Sequence, residues 1–196
     1  MYNDCVQAGG YVRIISGSAG GRTLKSPRGM LTRPTLDSTR ESLFNILAAG
    51  RSFADTRVLD IFAGTGALGL EAVSRGADKC VFIDVRTGKL IRENAALCGF
   101  TGAVTVLSLE CGRALAALKG EHFDYIFADP PYDKNLVNTT LSEVFANKLL
   151  TSAGLFIMEH SCREDIEPSK VYRTVREKKY GKETRISFIV NSREGE

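Results

Sequence analysis

The chain has 196 residues, 43% apolar and 25% charged, with a formal net charge of +3. This composition fits one ordinary globular domain with a full core and excludes a low-complexity or highly charged disordered chain. No apolar run approaches the roughly 20 residues that span a bilayer, and an N-terminus with Asp4 and no apolar segment does not read as a signal peptide, so a cytoplasmic protein is expected.

Residues 1–10 show no periodicity and contain Gly9-Gly10, so a disordered tail is expected. Tyr11–Ser16 and Arg22–Ser26 are short strand-like runs joined by Gly17-Ser18-Ala19-Gly20-Gly21, which predicts a hairpin. Residues 27–36, with Pro27, Gly29 and Pro34, read as a loop. Ser38-Thr39-Arg40-Glu41 fits a capping box that starts a helix, with Leu43, Ile46 and Leu47 as its apolar stripe. From Arg57 onward strands and helices alternate. Strands are expected near 57–62, 80–84, 103–107, 123–128 and 153–159, and helices near 66–75, 87–98, 111–118 and 135–149. Two more strands follow near 171–179 and 184–190, joined around Gly181. Such alternation implies right-handed crossovers and a mostly parallel sheet, an α/β fold. The boundaries read as a tail to residue 10, a hairpin and helix over 11–53, and an α/β core over 54–193, within one compact domain.

Two segments carry chemistry. In the first, the apolar run Val58-Leu59-Asp60-Ile61-Phe62-Ala63 leads into Gly64-Thr65-Gly66-Ala67-Leu68-Gly69 and a helix. Glycines let the backbone approach a ligand, and the helix N–H groups face it. Asp84, twenty residues after Gly64, ends the next apolar run, where an acid can accept hydrogen bonds from ribose hydroxyls. The spacing matches the dinucleotide fingerprint. Asp60, however, would repel a pyrophosphate and suits a cationic amino acid moiety, so a nicotinamide enzyme ranks low. The second segment, Asp129-Pro130-Pro131-Tyr132, follows the apolar run Tyr125–Ala128. Two prolines stiffen the loop and place a carboxylate and backbone carbonyls beside an aromatic ring. That arrangement suits a flat amino group held edge-on while its ring stacks on Tyr132. In a parallel sheet Asp60, Asp84, Glu110 and Asp129 all fall at strand carboxyl ends, where ligands bind.

Together, Asp60-x-x-x-Gly64-x-Gly66, Asp84 and Asp129-Pro130-Pro131-Tyr132 resemble a class I S-adenosylmethionine-dependent methyltransferase acting on an exocyclic or amide nitrogen. The segments Arg13-Ile14-Ile15-Ser16-Gly17, Gly21-Arg22-x-Leu24, Arg33-Pro34-Thr35-x-Asp37-x-x-Arg40 through Leu47, and Lys179-Tyr180-Gly181-x-x-x-Arg185-Ile186 are similar to the RsmD family. Those bacterial enzymes methylate N2 of one guanine in 16S ribosomal RNA. The resemblance implies a Rossmann-like fold, a seven-stranded sheet with helices on both faces and a short N-terminal β-hairpin extension. It implies S-adenosyl-L-methionine held by Asp60, Ala63, Gly64, Thr65, Gly66, Asp84, Glu110 and Cys111, with Asp129, Pro130, Pro131 and Tyr132 catalytic. Arg13, Arg22, Arg33 and Arg40 would contact RNA, either 16S rRNA or the assembling small ribosomal subunit. Two positions depart from the family: Ser38 stands where Arg is usual, and Glu110-Cys111 where Asp or Asn followed by Ala is common. An amine nitrogen made cationic by methylation loses its proton readily, so the implied chemistry does not require a raised pKa at Asp129.

Charge distribution agrees with a polyanionic substrate: residues 1–53 carry +4, 54–162 carry −3 and 163–193 carry +4. The five cysteines (Cys5, Cys80, Cys98, Cys111, Cys162) and two histidines (His122, His160) have no metal-ligand spacing, so no metal is expected. A monomer that avoids membranes is the default reading. A DNA adenine N6-methyltransferase can carry the same tetrapeptide, and a non-catalytic RNA-binding protein on the same fold is the alternative outside enzymes.

Overall fold

The computed structural model describes residues 12–27 and 34–192, without the side chains of 34–37. Expectations for residues 1–11, for the loop at 28–33 and for Arg33 lie outside it. Its elements are β1 (Val12–Arg13), β2 (Thr23–Leu24), α1 (Pro34–Ala48), β3 (Arg57–Ile61), α2 (Ala67–Ser74), β4 (Lys79–Ile83), α3 (Gly88–Cys98), β5 (Val104–Leu107), α4 (Cys111–Ala117), β6 (Phe123–Ala128), α5 (Leu136–Ala146), β7 (Leu150–Ser161), β8 (Tyr172–Tyr180) and β9 (Thr184–Asn191). The expected elements are all present. One boundary is corrected: α1 begins at Pro34, so Ser38 lies inside it rather than capping it. Proline is tolerated in a first helical turn because its missing N–H would have no intrahelical partner there.

Seven strands form one sheet in the order β5-β4-β3-β6-β7-β9-β8. Pairing is parallel from β5 through β7 and antiparallel between β9 and both its neighbours. The chain moves outward from β3 to β4 and β5, then returns to place β6 on the other side of β3. The switch point therefore lies between β3 and β6, where a crevice opens beyond the strand ends.

Helices cover both faces of the sheet, and the side chains sort by alternation along the strands. Val58, Cys80, Phe82, Tyr125 and Phe127 pack with α1, α2, α3 and the N-terminal hairpin. Leu59, Ile61, Val81, Ile83, Ile126 and Ala128 pack under α4 and α5. On the first face Phe44 of α1 lies 5.6 Å from Phe53 and 5.8 Å from Phe127, centroid to centroid. Among the described residues no helix is long and apolar enough to cross a membrane.

The β1–β2 hairpin, antiparallel with Val12 opposite Leu24, is docked by buried polar groups on α2 and α3. Glu71, fully buried, accepts the N–H of Ile15 (2.6 Å) and Ser16 (3.1 Å) and pairs with Arg75 at 2.7 Å. Ser74 Oγ accepts Ala19 N–H at 2.9 Å and donates to Ser16 O at 2.6 Å. Gly17 sits at φ +84°, and a Cβ there would stand 1.9 Å from Ser74 O, so no larger residue fits. Asn94 of α3, also fully buried, joins the Lys25 backbone to the carbonyl of Thr65.

Candidate active site

The turn after β3 is shaped by backbone geometry that few residues adopt. Phe62, Gly64 and Gly66 have φ of 62°, 55° and 79°. For Phe62 this is unusual, and such positions collect at functional sites. Gly66 caps α2 and its N–H bonds Ala63 O at 2.7 Å. Gly69 serves packing instead: a Cβ there would lie 2.4 Å from Phe82 Cε1 and 2.6 Å from Cys80 Sγ.

Asp60 lies inside β3 and is 2% exposed. Its Oδ2 accepts the Gly69 N–H at 2.9 Å, satisfying a free donor in the first turn of α2. Burial pushes its carboxyl up to about 7, against the Gly69 hydrogen bond and with help from the charge of Asp84. Asp84, just beyond β4, accepts Gly64 N–H at 3.0 Å through one oxygen and the N–H groups of Arg86 (2.8 Å) and Thr87 (2.9 Å) through the other. Burial works against its charge, yet these hydrogen bonds hold the carboxyl below its usual value. Asp84 thus clasps the glycine turn to the start of α3 and keeps part of its acceptor capacity.

Asp129 leaves β6 beside this turn. Ile61 is in register with Ala128, and Asp129 N–H reaches Ile61 O at 3.4 Å. The residue is exposed to solvent. Partial desolvation of its carboxyl, reinforced by the charges of Glu159 and Asp60, moves it above the usual carboxylate range. None of the ion pairs among the described residues engages it. The expected chemistry did not require this rise, which comes from desolvation and from the two neighbouring carboxylates.

Pro130 is buried and Pro131 exposed. Tyr132 is half-buried and its hydroxyl donates to Glu159 Oε1 at 3.1 Å, with Thr184 Oγ1 also at 3.1 Å. Asp133 and Asn135 both have φ of 57°, and Glu164 accepts their N–H groups at 3.0 and 3.2 Å. Glu110 caps α4 and is exposed, leaving the first-turn N–H of Cys111 at a helix start. Burial pushes the Cys111 thiol up to about 12, which keeps it protonated at neutral pH.

The expected RNA-contacting arginines divide. Arg13 and Arg22 are exposed on the hairpin. Arg40 is 8% exposed and donates to the Arg13 carbonyl, so it braces α1 against the hairpin instead of facing RNA. Sequence reasoning also missed Glu71, Asn94, Glu159 and Glu164. For Glu159 a signal existed: it is an acid at the end of the apolar run Leu155–Met158.

This topology, with a glycine turn at the switch point and Asp-Pro-Pro-Tyr on the adjoining strand, defines a class I S-adenosylmethionine-dependent methyltransferase. The family model described as "Conserved hypothetical protein 95" matches residues 12–189, and the chain belongs to that family. It is 37% identical over 153 residues to Ribosomal RNA small subunit methyltransferase D of Escherichia coli, covering 76% of this chain and 75% of that protein. The Haemophilus influenzae protein of the same name is 33% identical, over 78% of this chain and 80% of its own. Among solved structures, the one titled "Putative methyltransferase yhhF from Escherichia coli" superposes with a TM-score of 0.80 at 32% identity, covering 94% of this chain and all of that one.

Proposed function

We propose that this protein is a ribosomal RNA methyltransferase that transfers a methyl group from S-adenosyl-L-methionine to the exocyclic N2 amine of a guanine in 16S rRNA. The observation that carries the reading is the junction of Asp129-Pro130-Pro131-Tyr132 with the glycine turn across the β3–β6 switch point. Relatives named for ribosomal RNA methylation support the substrate class.

The crevice suits the cofactor. The Cβ direction at Gly64 meets nothing closer than 4.0 Å, which leaves room for a ligand. Asp60 and Asp129 form an acidic floor matched to a cation. In this reading the turn Ala63-Gly64-Thr65-Gly66 and Asp60 hold the amino acid moiety, Asp84 the ribose, and Glu110 with the Cys111 N–H the adenine. The bound cofactor supplies a methyl already activated on a sulfonium, so no metal is required.

The amine lone pair of guanine is delocalised into the ring. The Asp129 carboxylate and the Pro130 carbonyl accept from its two N–H bonds and return electron density to nitrogen. Tyr132 stacks on the base, a contact worth about 1–3 kcal/mol. Positioning supplies much of the acceleration, up to about 7–11 kcal/mol for well-oriented reactants. The base must be unstacked first, which favours a looped or single-stranded site. The same reading takes the enzyme as a cytoplasmic monomer that meets its RNA as naked 16S rRNA or within the assembling small subunit.

The test is transfer of a tritiated methyl to rRNA, duplex DNA and protein, followed by nucleoside mass spectrometry. N2-methylguanosine in rRNA, lost in Asp129→Ala with RNA binding retained, is the expected result. Methyl on DNA adenine, or full transfer by Asp129→Ala, overturns the assignment.

A further inference from the structure

Ala128, the last residue of β6, is in register with Met158 of β7. Asp129 and Glu159 therefore follow on adjacent parallel strands, one step beyond this pair. Glu159 is also the acceptor for the Tyr132 hydroxyl at 3.1 Å, and the same hydroxyl lies 3.1 Å from Thr184 Oγ1 at the start of β9. The tip of the Tyr132 ring is thus pinned to two strands that contribute no residue to the glycine turn. Two partners at the hydroxyl of a half-buried tyrosine anchor the tip of the ring.

We infer that Glu159 is a positioning residue for methyl transfer: it anchors the tip of the Tyr132 ring and shares with Asp129 the proton that the amine gives up. The inference rests on the proposed guanine-N2 chemistry. A C–N bond forms as the methyl C–S bond breaks, with its electron pair left on sulfur. The nitrogen, now cationic, loses one proton, and the N–H electron pair returns to nitrogen. The Asp129–Glu159 pair takes that proton and passes it to water.

The titratable groups facing Asp129 are Glu159 from β7, Asp60 from β3 and Tyr132 from its own loop. Glu159 accepts from the Tyr132 hydroxyl, whose other partner, Thr184, is neutral. Desolvation raises both carboxyls, and their mutual repulsion adds to the rise at Asp129. Negative charges on neighbouring strands oppose each other, so removing the charge of Glu159 makes Asp129 easier to ionise.

Two variants separate the parts. Glu159→Gln keeps the size of the side chain and an oxygen for the Tyr132 hydroxyl but removes the charge beside Asp129. Tyr132→Phe removes the tether and keeps the charge. The readouts are the pH profile of kcat with undermethylated small-subunit particles, and the Asp129 titration followed by carboxyl 13C NMR on the whole protein. For Glu159→Gln the acidic limb and the Asp129 titration should both move down by at least about half a pH unit. Its kcat should fall about tenfold while KM for the particles stays within about twofold. Tyr132→Phe should lower kcat without a downward shift of the limb. Unchanged kcat with an unmoved limb in Glu159→Gln overturns the inference while leaving the proposed function standing. If the unaltered protein methylates no RNA, the functional reading fails. The NMR titration then decides the carboxylate pairing alone, and an Asp129 indifferent to Glu159→Gln overturns it.

Discussion

Replacing Asp60 by Asn should stabilise the ligand-free protein at alkaline pH while weakening cofactor binding. Asp60 is 2% exposed and has one hydrogen bond, from Gly69 N–H, which an Asn oxygen can also accept. Its carboxyl holds a proton up to about 7 when folded, against an ordinary 3.8. Folding therefore takes up a proton between these values. The stabilising contribution of the protonated form is complete below the unfolded value and is lost as pH rises through about 7. At about 1.4 kcal/mol per unit, that difference amounts to about 4 kcal/mol at pH 8, much of which Asp60→Asn should recover. Urea unfolding at pH 5 and pH 8 is the assay, with unchanged m values required before midpoints are compared. The advantage of the variant over the unaltered protein should be larger at pH 8 than at pH 5 by about 3 kcal/mol. A cationic ligand should also release protons on binding near neutral pH, visible as buffer-dependent heats in calorimetry. A stability difference that is the same at both pH values, or a less stable variant at pH 8, would refute the argument.

Glu71→Ala leaves two backbone N–H groups and the Arg75 guanidinium without their buried partner, so urea unfolding should show a loss of about 3–5 kcal/mol. A loss below about 1 kcal/mol would mean that the hairpin is not held there. Asp84 acts in the opposite sense to Asp60. Its carboxyl is depressed, so its contribution is present above the ordinary 3.8 and lost as pH falls through the folded value. Asp84→Asn should flatten the acid limb of unfolding. Arg13→Ala should reduce the salt slope of RNA affinity by about 0.7–0.9, the share of one phosphate. Arg40→Ala should instead lower the melting temperature, because that side chain braces the hairpin.

Most of the core was readable because its strands are short apolar runs ending at acids or turns, and because helical stripes separate them. That alternation placed Asp60, Asp84, Glu110 and Asp129 at strand carboxyl ends, while the switch point between β3 and β6 required the strand order. The start of α1 was misplaced because Ser38-Thr39-Arg40-Glu41 satisfies the local capping pattern, while Pro34 was equally able to begin a helix. Arg40 looked like a surface cation because its partner, a carbonyl on the hairpin, is 27 residues away in sequence. Glu71 and Asn94 were invisible for the same reason: a buried polar residue on a helix declares itself only when the backbone groups it satisfies are known. Glu159 stood out in its apolar strand, yet its hydrogen bond to Tyr132 depends on the pairing of β6 with β7.

Asn94 gives one amide group to two masters: the chain at Lys25 and the carbonyl of Thr65 in the glycine turn. Cutting away the amino-terminal arm would therefore remove the Lys25 bonds that hold Asn94 in place beneath the glycine turn. A shortened protein that lost cofactor affinity together with RNA affinity would be reporting this shared anchor, and grafting the arm onto another scaffold would need an equivalent of Asn94 to go with it.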